Sequence, residues 1–217
     1  MLVVKNATIV TCNDDHAVIE KGALVARGGR LTFVGRQQDL PPHGGAQIID
    51  ARGDIVMPGL INMHAHCGDS LFRGLVEDLP LEPWLQTVWK AEAAILRSRE
   101  NCALGTRLGI AELLLGGVTC VMDMFWHCET GFEAAREADI RWASGEIFFD
   151  MPGMDGHQPE ERPDRARAMF DQHDELVGVL PHGTYTVGPE NLKLAGDISR
   201  RHGGFFCTHA AETAQEQ

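Results

Sequence analysis

The chain has 217 residues, 44% hydrophobic and 23% charged, which is the composition of a soluble globular protein with enough apolar material for a substantial core. Nineteen Lys and Arg stand against thirty-one Asp and Glu, and the formal charge of −12, with no basic stripe to offset it, argues against nucleic acid or an anionic membrane as partner. No apolar run reaches the roughly 18 residues of a membrane span and the first residues carry no signal pattern, so a cytoplasmic location is expected.

Residues 1–55 read as a small β module, with short strand-like runs at 2–11, 23–27, 31–34 and 47–50 separated by turn signals such as Arg27-Gly-Gly-Arg30 and Pro41-Pro-His-Gly-Gly45. Four short strands bury little surface, so they are expected to pair with strands from elsewhere. The nearly unbroken apolar stretch 55–63 predicts a strand buried on both faces. Helices are predicted at 81–94, with proline in the first turn, and at 100–115, stopped by Gly116-Gly117. The pattern then alternates: strand 118–122, helix 130–138, strand 141–149, a Gly- and Pro-rich loop at 152–159, helix 164–172, strand 177–180, helix 189–201 and strand 205–209. This order predicts an α/β fold whose parallel sheet is covered by helices, either closed into a barrel or open and doubly wound. No Gly-x-Gly-x-x-Gly follows a strand, which counts against dinucleotide binding.

His64-Ala-His66 closes the first buried strand, and residues two apart on a strand project to the same side. Two neutral imidazoles at that spacing suit zinc and related transition metals. A second cluster, Cys207-Thr-His-Ala-Ala-Glu212, sets His209 at another strand tip with a carboxylate three residues on. That suits a metal ligand followed by a proton carrier, because a metal lowers the pKa of water to about 7 and a nearby carboxylate can take the proton. Pro181-His-Gly-Thr-Tyr185 brings His182 to the same end of the sheet, where parallel barrels carry their active sites. His127, after the strand at 118–122, is a further candidate for lining the pocket. The six cysteines, at 12, 67, 102, 120, 128 and 207, form no C-x-x-C pair and are expected as mostly buried, reduced thiols, with Cys67 alone near the chemistry.

The stretches Met57-Pro-Gly-Leu-Ile-Asn-Met-His-Ala-His66, Leu71-Phe-Arg-Gly-Leu-Val-Glu-Asp-Leu79 with Trp84-Leu85, Gly117-Val-Thr, Pro181-His-Gly-Thr-Tyr-Thr186 and Thr208-His-Ala-Ala-Glu212 span the chain. In kind and order they resemble the amidohydrolase superfamily, particularly its methylthioadenosine/S-adenosylhomocysteine deaminases and the related chlorohydrolases and guanine or cytosine deaminases. The resemblance implies a TIM-type (β/α)8 barrel, with its first five or so strand and helix units in residues 56–217 and part of a small β-sandwich in 1–55. It implies one divalent transition metal, zinc or iron, on His64, His66 and His209. Glu212 would then move protons, His182 would hydrogen-bond the substrate ring, and Trp84 and Glu92 would make further substrate contacts.

Two departures shape the expectation. Glu146 stands where the nucleoside deaminases carry an arginine after the third strand, so a carboxylate beside the pocket is expected to disfavour anionic substrates such as S-adenosylhomocysteine. The family's later histidine and metal-binding aspartate fall beyond the fifth strand, so the 217-residue chain alone is expected to be inactive and not to form a stable monomer. The expected reaction is hydrolytic deamination of an aminated nitrogen heterocycle, whether purine, pyrimidine, nucleoside or triazine. Dechlorination on the same scaffold and an inactive fragment are the alternatives, and homo-oligomer formation stays open.

Overall fold

Strand β1 (Leu2–Val10) pairs antiparallel with β2 (Val18–Arg27), and β2 with β3 (Arg30–Arg36). The two-residue turn between β2 and β3 is Gly28-Gly29 with φ of +54° and +74°, the primed-turn geometry that matches strand twist and that glycine adopts without a Cβ clash. Strands β4 (Gln47–Asp50) and β5 (Ile55–Val56) lie parallel to β1, which makes this a mixed sheet over Val4, Ala7, Ile9 and Ala51. Ile55 and Val56 pair with Thr8 and Ile9, so this unit runs to Gly59 rather than closing at residue 55. The computed structural model describes residues 1–173, 176–212 and 214–216, and it divides into the units Met1–Gly59 and Leu60–Gln217.

The second unit alternates strand and helix: β6 (Leu60–Ala65), α1 (Leu81–Ile95), α2 (Arg99–Leu115), β7 (Val118–Asp123), α3 (Cys128–Ala138), β8 (Arg141–Phe148), α4 (Arg162–Gln172), β9 (Leu176–Pro181), α5 (Pro189–His202) and β10 (Phe205–Phe206). The strands lie in the order β10-β9-β8-β7-β6, all parallel, and form a curled five-stranded half-barrel. Helices start and stop where local chemistry dictates. The Ser98 hydroxyl accepts from the Asn101 N–H at the start of α2, and Gly203, with φ +71°, ends α5. The helix side of the sheet is filled by Ile110, Val121, Phe132, Trp142 and Met169, continuing into Phe148, Val179, Ala195 and Ile198. Met124, Ile147, Phe149 and Leu180 form a separate cluster on the other face. Among the described residues no helix is long and apolar enough to cross a membrane.

Three expectations change. The stretch 55–63 is not one strand, because Met57-Pro58-Gly59 interrupts it, and β6 is not buried on both faces: Leu60, Ile61 and Met63 are 51%, 64% and 68% exposed. Among the described strands β6 pairs with β7 alone, so its apolar residues lack a neighbour on the other edge. The last strand shortens to Phe205–Phe206, although His209 still forms a parallel bridge to Gly183. Of the thiols, Cys67, Cys102 and Cys128 are buried, Cys120 and Cys207 half-buried, and Cys12 exposed.

Candidate active site

His64 and His66 leave β6 on the same side, and His209 follows β10. The ring Nδ1 of His66 lies 2.8 Å from the Met124 carbonyl oxygen, and that of His209 lies 2.8 Å from the His182 carbonyl oxygen. A ring nitrogen facing a carbonyl carries the proton, so each Nε2 is left with a lone pair. These two lone pairs meet at an Nε2–Nε2 distance of 3.2 Å, and His64 Nε2 stands 3.1 Å from His66 Nε2. Two acceptors with no proton between them repel, and a cation placed among them removes the repulsion. The spacing is close to the edge of about 3.3–3.4 Å of a tetrahedron with bonds of about 2.0–2.1 Å, so the three histidines fit a zinc-like ion. Burial pushes His66 down to about 4, which keeps it neutral near pH 7, as a metal ligand must be.

His66 and His209 also line a cavity that contains His182, Glu212, Trp84 and Glu92, so these site residues read from the sequence come together; His64 lines the openings beside it. His182, just past β9, stacks on Phe149 with ring centroids 4.4 Å apart, and burial lowers it to about 3. The Thr186 hydroxyl donates to the Gly183 carbonyl at 3.2 Å, so at 2.9 Å from His182 Nδ1 it acts as the acceptor, and His182 Nε2 is left to accept from a ligand. The Tyr185 hydroxyl donates to Glu212 at 2.5 Å. Glu92 is 4% exposed and accepts from Trp126 Nε1–H at 3.0 Å; burial pushes it up to about 7.

The structure moves two residues, Glu146 and His127, away from the places expected of them. Glu146 does not face the cavity: Ile147 and Phe149 do, and strand alternation turns Glu146 toward the helices, where Arg162 meets it at 2.6 Å and Arg165 at 3.1 Å. Its charge is neutralised there and exerts no selection on a substrate. His127 has φ +50°, and its Nε2 lies 3.2 Å from the Arg97 carbonyl oxygen, outside the cavity lining. Cys67, expected near the chemistry, lines the opening beside His64 and His66 and also packs into the core with Ile110, Val121 and Phe132, where burial pushes its thiol far up.

Sequence reasoning gave no role to Asp69 or Tyr185, which also line the cavity. Tyr185 lay inside the stretch 181–186, and Asp69 in the gap between His66 and Leu71. Asp69 stands three residues after His66 and Tyr185 three after His182, a carboxylate and a phenol beside ligand-type histidines.

The family model for the amidohydrolase family matches residues 55–217. Over 99% of its length the chain is 32% identical to a 5-methylthioadenosine/S-adenosylhomocysteine deaminase of Symbiobacterium thermophilum, covering 50% of that relative. It is 33% identical to a 5'-deoxyadenosine deaminase of Methanothrix thermoacetophila, again over 99% of this chain and 50% of the relative. The solved structure of an adenosine deaminase from Xanthomonas campestris with bound zinc superposes with a TM-score of 0.85 at 29% identity, covering 99% of this chain and 50% of that one. The chain thus spans about half the length of the relatives it matches.

Proposed function

Because the chain belongs to the amidohydrolase family, we propose that His64, His66 and His209 hold one divalent transition metal and that the adjoining cavity carries out hydrolytic deamination of an aminated nitrogen heterocycle. The observation that carries this reading is the pair of facing Nε2 lone pairs on His66 and His209 in the same cavity as Glu212. A zinc or iron ion held by these three histidines would supply the Lewis acidity that activates water at neutral pH. Glu212, held by the Tyr185 hydroxyl, takes a proton from the attacking water and returns one to the leaving nitrogen. His182 accepts from an N–H of the heterocycle and so orients its ring. Trp84, Trp89 and Phe149 offer flat apolar walls that suit a planar ring and exclude water.

The test is to incubate metal-loaded full-length protein with aminopurines, aminopyrimidines, nucleosides and aminotriazines and to measure ammonia. Ammonia formed together with the matching oxo product supports the reading. Chloride released from a chlorotriazine with no ammonia from any amine would replace it with dechlorination.

A further inference from the structure

Two carboxylates that proton transfer does not use face the same cavity. Asp69 lies in the 3-10 turn Cys67–Phe72, and that turn is fixed from two sides. The Cys67 N–H donates to Asp123 Oδ1 at 2.7 Å, and the Gly68 backbone approaches α2 so closely that a Cβ on Gly105 would stand 2.2 Å from the Gly68 carbonyl oxygen. Asp69 is therefore held at the cavity wall. Its Oδ1 is shut off from solvent and has no hydrogen-bond partner. The same cavity is lined by Glu92 of α1, only 4% exposed; Trp126 meets its Oε2, and among the described residues no second donor reaches this carboxylate.

A buried carboxylate left short of donors is costly, and a second one nearby adds repulsion. Burial, and then the charges of Glu92 and Asp123, push Asp69 up to about 8. No lysine or arginine lines the cavity to compensate. What does line it, besides the histidines, is a set of aromatic faces: Trp84, Trp89, Trp126, Phe149 and Tyr185.

We propose that Asp69 and Glu92 form the specificity subsite of this cavity and that the substrate carries a cationic nitrogen group, an ammonium or an amidinium, which they bind. The inference rests on the deaminase reading for the reaction, whereas the subsite itself stands on the two carboxylates and the aromatic walls. A cationic group takes the place of the protons that the raised acids otherwise hold, supplies donors to both carboxylates as charge-assisted hydrogen bonds, and is attracted by the faces of the tryptophans. A neutral hydroxyl supplies donors but no charge, so the acids keep their protons. An anion meets two carboxylates with no cation beside them. Selection against anionic substrates, expected from Glu146, thus falls to Asp69 and Glu92.

The test uses metal-loaded full-length protein and pairs of ligands that differ in charge alone. Benzamidine and benzamide are flat isosteres, one cationic and one neutral, and their affinities are read by calorimetry. Benzamidine is expected to bind about tenfold or more tighter, and Asp69→Asn to bring the ratio to within about threefold. In turnover, an aminoheterocycle bearing an aminoethyl arm should show kcat/KM about tenfold above its hydroxyethyl counterpart. Equal affinity for benzamidine and benzamide in the wild-type protein overturns the subsite, and this comparison requires no variant. Ammonia release without charge preference overturns it as well. Charge-selective binding that Asp69→Asn removes, with no ammonia from any heterocycle, upholds the subsite and removes the deaminase reading instead.

Discussion

Strand β8 separates two groups of buried charge. On its helix side Glu146, fully buried, meets Arg162 at 2.6 Å and Arg165 at 3.1 Å; Arg162, itself 0% exposed, also meets Asp155 at 2.7 Å, and Arg165 meets Glu129 at 2.6 Å. Each of those carboxylates has a cation, and only Nε of Arg162 is left without a partner. On the cavity side Asp69 and Glu92 have no cation, and the nitrogens of His66 and His209 face each other with no proton between them. Both groups are desolvated, so burial alone does not distinguish them. The difference is compensation: charges already matched by the protein hold it together, while unmatched ones wait for something from outside.

The largest effect should come from removing the unmatched nitrogens. Replacing His64 and His66 together by alanine is expected to take metal content from about one ion per chain to none, measured by elemental analysis of protein never exposed to chelator. A variant that keeps its ion would show that the facing lone pairs are an accident of packing. On the matched side, Arg162→Met leaves Glu146 and Asp155 buried without their shared partner and should lower stability by about 3–5 kcal/mol in urea unfolding. Against burial, which pushes it up, the Arg162 hydrogen bonds and charge hold Asp155 below its ordinary range. A lowered carboxylate pKa contributes stability that is complete above the unfolded value of about 4 and is lost as pH falls through the folded one, so the gap between wild type and variant should narrow on acidification. Next in size, Glu212→Gln should retain the metal and lose about a hundredfold in turnover, since the amide keeps the shape and not the proton transfer. Unchanged turnover would leave Glu212 as a partner of Tyr185 and nothing more.

Much of this was legible in the sequence because each strand and helix of the second unit buries one side, so apolar runs and their punctuation mark where elements start and stop. His64, His66, His182, His209 and Glu212 stood out because they lie at or just past the ends of such runs. Other features depend on information that a local pattern does not carry. The apolar run 55–63 indicates burial, yet the exposure of Leu60, Ile61 and Met63 is set by which strands stand beside β6. Glu146 was assigned to the cavity although Ile147, one residue on, is the one that faces it, and a one-residue slip reverses the face of every side chain on a strand. Asp69 sits in a 3-10 turn with no periodicity, and its position is fixed by Asp123 and Gly105, both distant in the chain.

The smallest expected effect is also a sharp check on the comparison. Arg99 and Glu133 form an ion pair at 2.6 Å, the same length as the pair between Arg162 and Glu146, but their side chains are 52% and 50% exposed. Water already solvates both charges, and its high dielectric leaves little Coulomb energy to gain. Holding two long side chains in one geometry also costs rotamer entropy. Glu133→Gln keeps the shape and removes the charge, so it should change stability by about 0.2–1 kcal/mol, and by less as salt is added. Urea unfolding with an unchanged slope and a slightly shifted midpoint would report this. If the exposed pair cost as much as the buried one, an ion pair would matter here wherever it lies, and compensation of buried charge would lose its meaning as the line between structure and function in this protein.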